Sequence, residues 1–121
     1  MTGVGGSVDG AAAGVSRASV VGAGGGAAAV AAGLTEIGFS DHSPMRRDDF
    51  DNWRMRNDQL DEYVEKVRRA QQEFPQLTIR LALEVDYLPG QEDWIRGLAA
   101  RHPWDYLIGS VHYVSETWAI D

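Results

Sequence analysis

Cysteine is absent from the 121 residues, which excludes disulfide scaffolds, thiolate metal sites and cysteine nucleophiles. Any metal ion would therefore be held by imidazole nitrogen and carboxylate oxygen. Histidine is itself scarce, with His42, His102 and His112 the whole supply. Positive charge is also short. There are 11 Lys and Arg against 18 Asp and Glu, a net charge of -7, which argues against a nucleic-acid-binding surface. A strongly apolar run long enough to span a membrane is missing as well. Residues 18–33 contain no Leu, Ile or Phe, and their glycines weaken them as a helix. No basic residue precedes Arg17, where a signal peptide would need one. The expectation is a cytoplasmic protein with no membrane partner.

Aromatic residues are missing from residues 1–33, where Asp9 and Arg17 are the only charged side chains. A segment of Gly, Ala, Val and Ser buries little apolar surface and loses much backbone entropy on ordering. Two regions follow: a low-complexity stretch over 1–33, expected to be disordered, and a folded domain over 34–121. Residues 27–32 are the exception, able to form a helical turn that Gly33 stops. The glycines between Gly22 and Gly26 are not followed by the Lys and Ser/Thr of a phosphate-cradling loop, so no nucleotide site is assigned. Out-of-frame translation of a GC-rich gene yields this composition, and a frameshifted origin, or an alternative start within a damaged gene, is the expectation for the segment up to about Gly26.

What is present after Gly33 reads as an α/β domain. Leu34–Ser40 is a short apolar run ending at the polar turn Asp41-His42-Ser43-Pro44, which predicts a strand and a turn. Met45–Arg56 shows no period and is read as a long loop. Leu60, Tyr63, Val64, Val67, Ala70 and Phe74 fall at helical spacing, predicting a helix from about Asn57 to Phe74, capped by Asn57 or Asp58 and closed by Pro75. Leu77–Val85 is the second strand. A shorter helix carries Trp94, Ile95 and Leu98, and a third strand runs over Asp105–Val111, with His112 at its end. Strands alternating with helices predict parallel pairing through right-handed crossovers.

In such folds functional groups collect at the carboxyl ends of the strands. The chain places His42, Glu84 and His112 at those three ends, a donor set suited to zinc, manganese or iron. Blander roles stand beside this one. His42 fits a turn residue, Glu84 a partner for Arg80, and His112 a core hydrogen bond. His102, beside Pro103 at a helix end, is read as structural.

Three segments carry a resemblance. They are Gly33–Pro44 (GLTEIGFSDHSP), Leu83–Tyr87 (LEVDY) and Tyr106–Tyr113 (YLIGSVHY). In order and at fitting intervals, they resemble signature segments of the PHP-class histidinol-phosphatases, and the likeness runs from Gly33 to the last residue. The resemblance implies a distorted (β/α)7 barrel with a trinuclear cluster of divalent ions. It implies His42, Glu84 and His112 as metal ligands, with Glu84 bridging two ions. The implied reaction is hydrolysis of L-histidinol phosphate to L-histidinol and phosphate, in histidine biosynthesis. Arg54 and Arg56 in the long loop are candidates to meet the phosphate of this small-molecule substrate.

The family's first-strand His-x-His has no counterpart before His42, and its later His and Asp-x-His have none before Asp121. The expectation is an incomplete or inactive form. The alternatives are another PHP-class phosphoesterase, including the proofreading or structural domains of bacterial DNA polymerases, or a non-catalytic metal-binding remnant.

Overall fold

The computed structural model describes residues 24–120. Helix α1 (Gly25–Ala31) covers the turn expected over 27–32. Gly33 ends it at a φ of 76°, a conformation that a side chain would strain. Ala29 belongs to the hydrophobic core, so the expected boundary at residue 33 falls after an element that packs on the domain. The remainder of the expected disordered or frameshifted segment, residues 1–23, lies outside the described residues.

Three strands, β1 (Glu36–His42), β2 (Thr78–Asp86) and β3 (Tyr106–Ser110), form one sheet in that order. Both pairings are parallel, as the alternation with helices predicts. The β1–β2 register runs from Glu36 opposite Thr78 to His42 opposite Glu84. Side chains alternate across a sheet. One face carries Ile37, Phe39, Ile79, Leu81, Leu83 and Val85, all buried in a single core. Each such side chain contributes roughly 1.5–3 kcal/mol on burial.

The core is closed by α2 (Leu60–Glu73) and α3 (Glu92–Arg101). Leu60, Tyr63, Val64, Val67 and Ala70 of α2 are buried in it, as is Leu98 of α3. The Tyr63 hydroxyl lies 2.7 Å from the carbonyl oxygens of both Phe39 and Ala82, tying α2 to the two strands it covers. A 3-10 turn (Asn57–Gln59) precedes α2. The expected caps act elsewhere: the Asn57 amide donates back into the loop, to the Met45 carbonyl and Asp48 at 2.8 Å each. Asp58 instead pairs with Arg56.

The opposite face carries Gly38, Ser40 and His42 on β1 beside Ala82, Glu84 and Asp86 on β2. Gly38 is needed there, because a Cβ would stand 2.1 Å from the Tyr106 hydroxyl. Beyond β3 the chain forms an antiparallel hairpin not expected from the sequence, β4 (Tyr113–Ser115) and β5 (Trp118–Ala119). No helix among the described residues is long and apolar enough to cross a membrane.

Candidate metal centre

His42 is the last residue of β1 rather than part of a turn after it. The polar text Asp-His reads as the start of a turn, yet it continues the ladder: Asp41 and His42 pair in register with Leu83 and Glu84. Neighbours in register on parallel strands project to the same side, which sets the His42 imidazole beside the Glu84 carboxylate. His42 Nδ1 lies 3.0 Å from Glu84 Oε2. His112 sits two residues beyond the end of β3, which stops at Ser110 rather than Val111. It turns back so that Nε2 lies 3.9 Å from the same Glu84 oxygen.

One ligand atom from each of His42, Glu84 and His112 lies within 4.8 Å of the other two, a grouping that can hold a metal ion. Each blander role fares differently. Arg80 is engaged by Glu36 at 2.8 Å, not by Glu84. His42 and Glu84 each keep a fifth of their side-chain surface open, so neither is sealed into the core. Two imidazole nitrogens and a carboxylate oxygen form the nitrogen and oxygen set that borderline divalent ions take. His102 lies apart, its Nε2 2.8 Å from Asp61 and its ring edge-on to Trp104, a structural position as expected.

The two arginines expected to meet phosphate are placed differently. Arg56 is exposed, its guanidinium 3.3 Å from Asp58. Arg54 is buried, with 4% of its side chain exposed, and its fork points inward. Nε donates to Asp51 at 2.8 Å, Nη1 to the Ser43 carbonyl at 3.1 Å, and Nη2 to Asp86. The expectation of Arg54 as a phosphate contact is corrected by these partners. A charged loop residue reads as solvated only until it finds buried carboxylates.

Asp86 was not singled out by the sequence, though its spacing from Glu84 holds the signal. Residues i and i+2 of a strand share a face, so a Glu-x-Asp segment delivers both carboxylates to one side. Asp86 Oδ1 accepts from Ser110 Oγ at 2.5 Å and lies 2.5 Å from His112 Nδ1. Burial pushes the Asp86 carboxyl up, but hydrogen bonds from Ser110, Arg54 and His112, with the Arg54 charge, outweigh it and hold the group below its usual range. Trp53 was also missed. Its ring stands edge-on to His42 at 4.8 Å and to His112 at 5.2 Å, and the Arg54 guanidinium lies 4.2 Å from its centroid. The irregular loop between β1 and α2 thus walls one side of the site.

Comparison with known proteins identifies the family. The model of the PHP domain matches residues 26–119. A probable histidinol-phosphatase from Deinococcus radiodurans is 44% identical over 95 residues, which cover 78% of this chain and 36% of that protein. The chain thus spans about a third of the length of the curated relative it matches. With a parallel α/β sheet, a His/Glu/His cluster at its carboxyl edge and a domain match covering the cluster, the chain belongs to the PHP domain family.

Proposed function

We propose that this chain forms the metal-holding front of a PHP-class phosphomonoesterase acting on histidinol phosphate, built on part of a (β/α)7 barrel. The observation that carries the reading is the convergence of His42, Glu84 and His112 within 4.8 Å. The relative's name supports the substrate. His42, Glu84 and His112 would be the protein donors. What divalent ions supply when bound there is Lewis acidity, which offsets phosphate charge and eases deprotonation of water. Zinc, manganese and iron all suit the donor set.

The chain's own residues contribute position and enclosure. Glu84 offers one oxygen, Oε2, toward both imidazoles, and would hold a metal ion together with them. Trp53 covers the edges of both histidines and limits water on that side. Arg56, with its exposed guanidinium, is the remaining candidate to meet the phosphate. Three donors suffice for one ion, whereas the family reaction uses a fuller set.

The test is hydrolysis of histidinol phosphate by the purified chain with added manganese, zinc or iron, beside a full-length relative and an aryl phosphate control. The expected result is turnover at least tenfold below the relative's, about 1.4 kcal/mol in barrier, or none, with any activity metal-dependent and preferring histidinol phosphate. A preference for the aryl phosphate would move the substrate elsewhere in the class. Turnover equal to the relative's would mean that these three donors are sufficient.

A further inference from the structure

We propose that Asp86, held in place by Arg54, is a positioning residue that fixes the tautomer of His112. It keeps the proton on Nδ1 and leaves the Nε2 lone pair available to a metal ion on the Glu84 side. This inference rests on the metal reading above and adds the group behind it. The geometry is one-sided. His112 Nδ1 is 2.5 Å from Asp86 Oδ1, while Nε2 is directed to the cluster, 3.9 Å from Glu84 Oε2. An ionised carboxylate can only accept, so Nδ1 must carry the proton. A neutral imidazole then has its lone pair on Nε2. Carboxylates behind a ligating histidine generally set its orientation and tautomer in this way.

Arg54 and Ser110 make the arrangement directional. Arg54 Nη2 donates to Asp86 Oδ2, and Ser110 Oγ donates to Oδ1 at 2.5 Å. The carboxylate is 2% exposed and Arg54 4%, so the plane of Asp86 cannot swing toward water. Arg54 is anchored in turn by Asp51, which also accepts from the Tyr113 hydroxyl at 3.1 Å. A chain of buried charge therefore links the β1–α2 loop to the first residue of the terminal hairpin, and His112 hangs from its middle.

The informative variant is Asp86→Asn, which preserves size. Arg54 requires an acceptor, so the Asn carbonyl oxygen should take the Oδ2 position and turn the amide NH2 toward His112. Nδ1 must then accept, and the proton moves to Nε2, the nitrogen needed for metal. Two measurements on the full chain test this. Imidazole nitrogen NMR of the metal-free protein should show His112 protonated on Nδ1 in wild type and on Nε2 in Asp86→Asn. Manganese and zinc titration should show affinity about 10- to 100-fold weaker in Asp86→Asn. Circular dichroism verifies that the variant is folded, and Ser110→Ala offers a milder variant that should keep the Nδ1 tautomer.

An Nε2-protonated His112 in wild type, or unchanged tautomer and affinity in Asp86→Asn, would overturn the proposal. Glu84→Gln separates it from the reading beneath it. If wild type and Glu84→Gln take up metal equally, the metal centre itself is wrong, while the metal-free NMR result still decides whether Asp86 sets the tautomer.

Discussion

A carboxylate as enclosed as Asp86 persists only where donors meet its charge, and Arg54, Ser110 and His112 all do so. Removing the cation should cost more than removing an exposed one. Arg54→Met would leave both Asp51 and Asp86 without their buried partner, and a loss of about 3–5 kcal/mol is expected from such a change. Urea unfolding would read it as a lower midpoint, and Arg56→Met, at an exposed pair, should stay within about 0.5 kcal/mol of wild type. Gly38 offers a second test at this scale. A methyl group there would meet the Tyr106 hydroxyl at 2.1 Å, so Gly38→Ala should destabilise by about 1–3 kcal/mol. Removing the hydroxyl relieves the worst contact. In a double-mutant cycle, Gly38→Ala with Tyr106→Phe should therefore cost less than the sum of the two single changes. Strict additivity would place the strain elsewhere.

At the scale of elements, α2 is held by its apolar stripe and, besides the Tyr63 bonds to the strands, by a polar clamp to α3. Leu60 is fully buried at the start of the helix, and Leu60→Ala should cost about 2–5 kcal/mol. The clamp joins Asp61, in the first turn of α2, to His102 at the end of α3. The hydrogen bond from His102, with the nearby Arg101 charge, outweighs desolvation and holds the Asp61 carboxyl below its usual value. A lowered native pKa adds stability above the unfolded value, about 3.9 for Asp. That stability is lost as pH falls through the lower native value. The stability gap between wild type and Asp61→Asn should thus be present above about pH 4 and close below it. A gap that widened in acid would contradict the assignment.

These elements were also where the sequence spoke most clearly. Leu60, Tyr63, Val64 and Val67 announce α2 because a helix buries every third or fourth residue. The strand cores announce themselves as short apolar runs. The ends were harder to read. Asp41 and His42 are polar, yet they pair with β2 to the last residue of β1, because ladder bonds are made by the backbone whatever the side chain. Arg54 and Asp86 lie 32 residues apart, and no local pattern signals that one will neutralise the other. The β4–β5 hairpin spans only a few residues, too few for a period to emerge.

Across the whole molecule, apolar exposure is uneven. Leu107, Val111, Val114, Trp118 and Ile120 are all exposed, Trp118 at 70%, whereas the apolar side chains of β1 and β2 are buried. Apolar surface gathered along one strand and hairpin favours association. Sedimentation should show concentration-dependent self-association that Val114→Lys with Trp118→Lys reduces. A monomer at every concentration would show that this surface is tolerated.

The site sits at the other level of the same scale, since His42, Glu84 and His112 come from three separate strands or their ends and meet only if the sheet is parallel. The most direct measurement is therefore equilibrium dialysis against manganese and zinc, with bound metal counted for wild type, His42→Ala, Glu84→Gln, His112→Ala and His102→Ala. A metal centre at these three residues predicts bound metal in wild type and His102→Ala, and clear loss in each of the other three. Uptake that survives Glu84→Gln, or that falls only with His102→Ala, would contradict it.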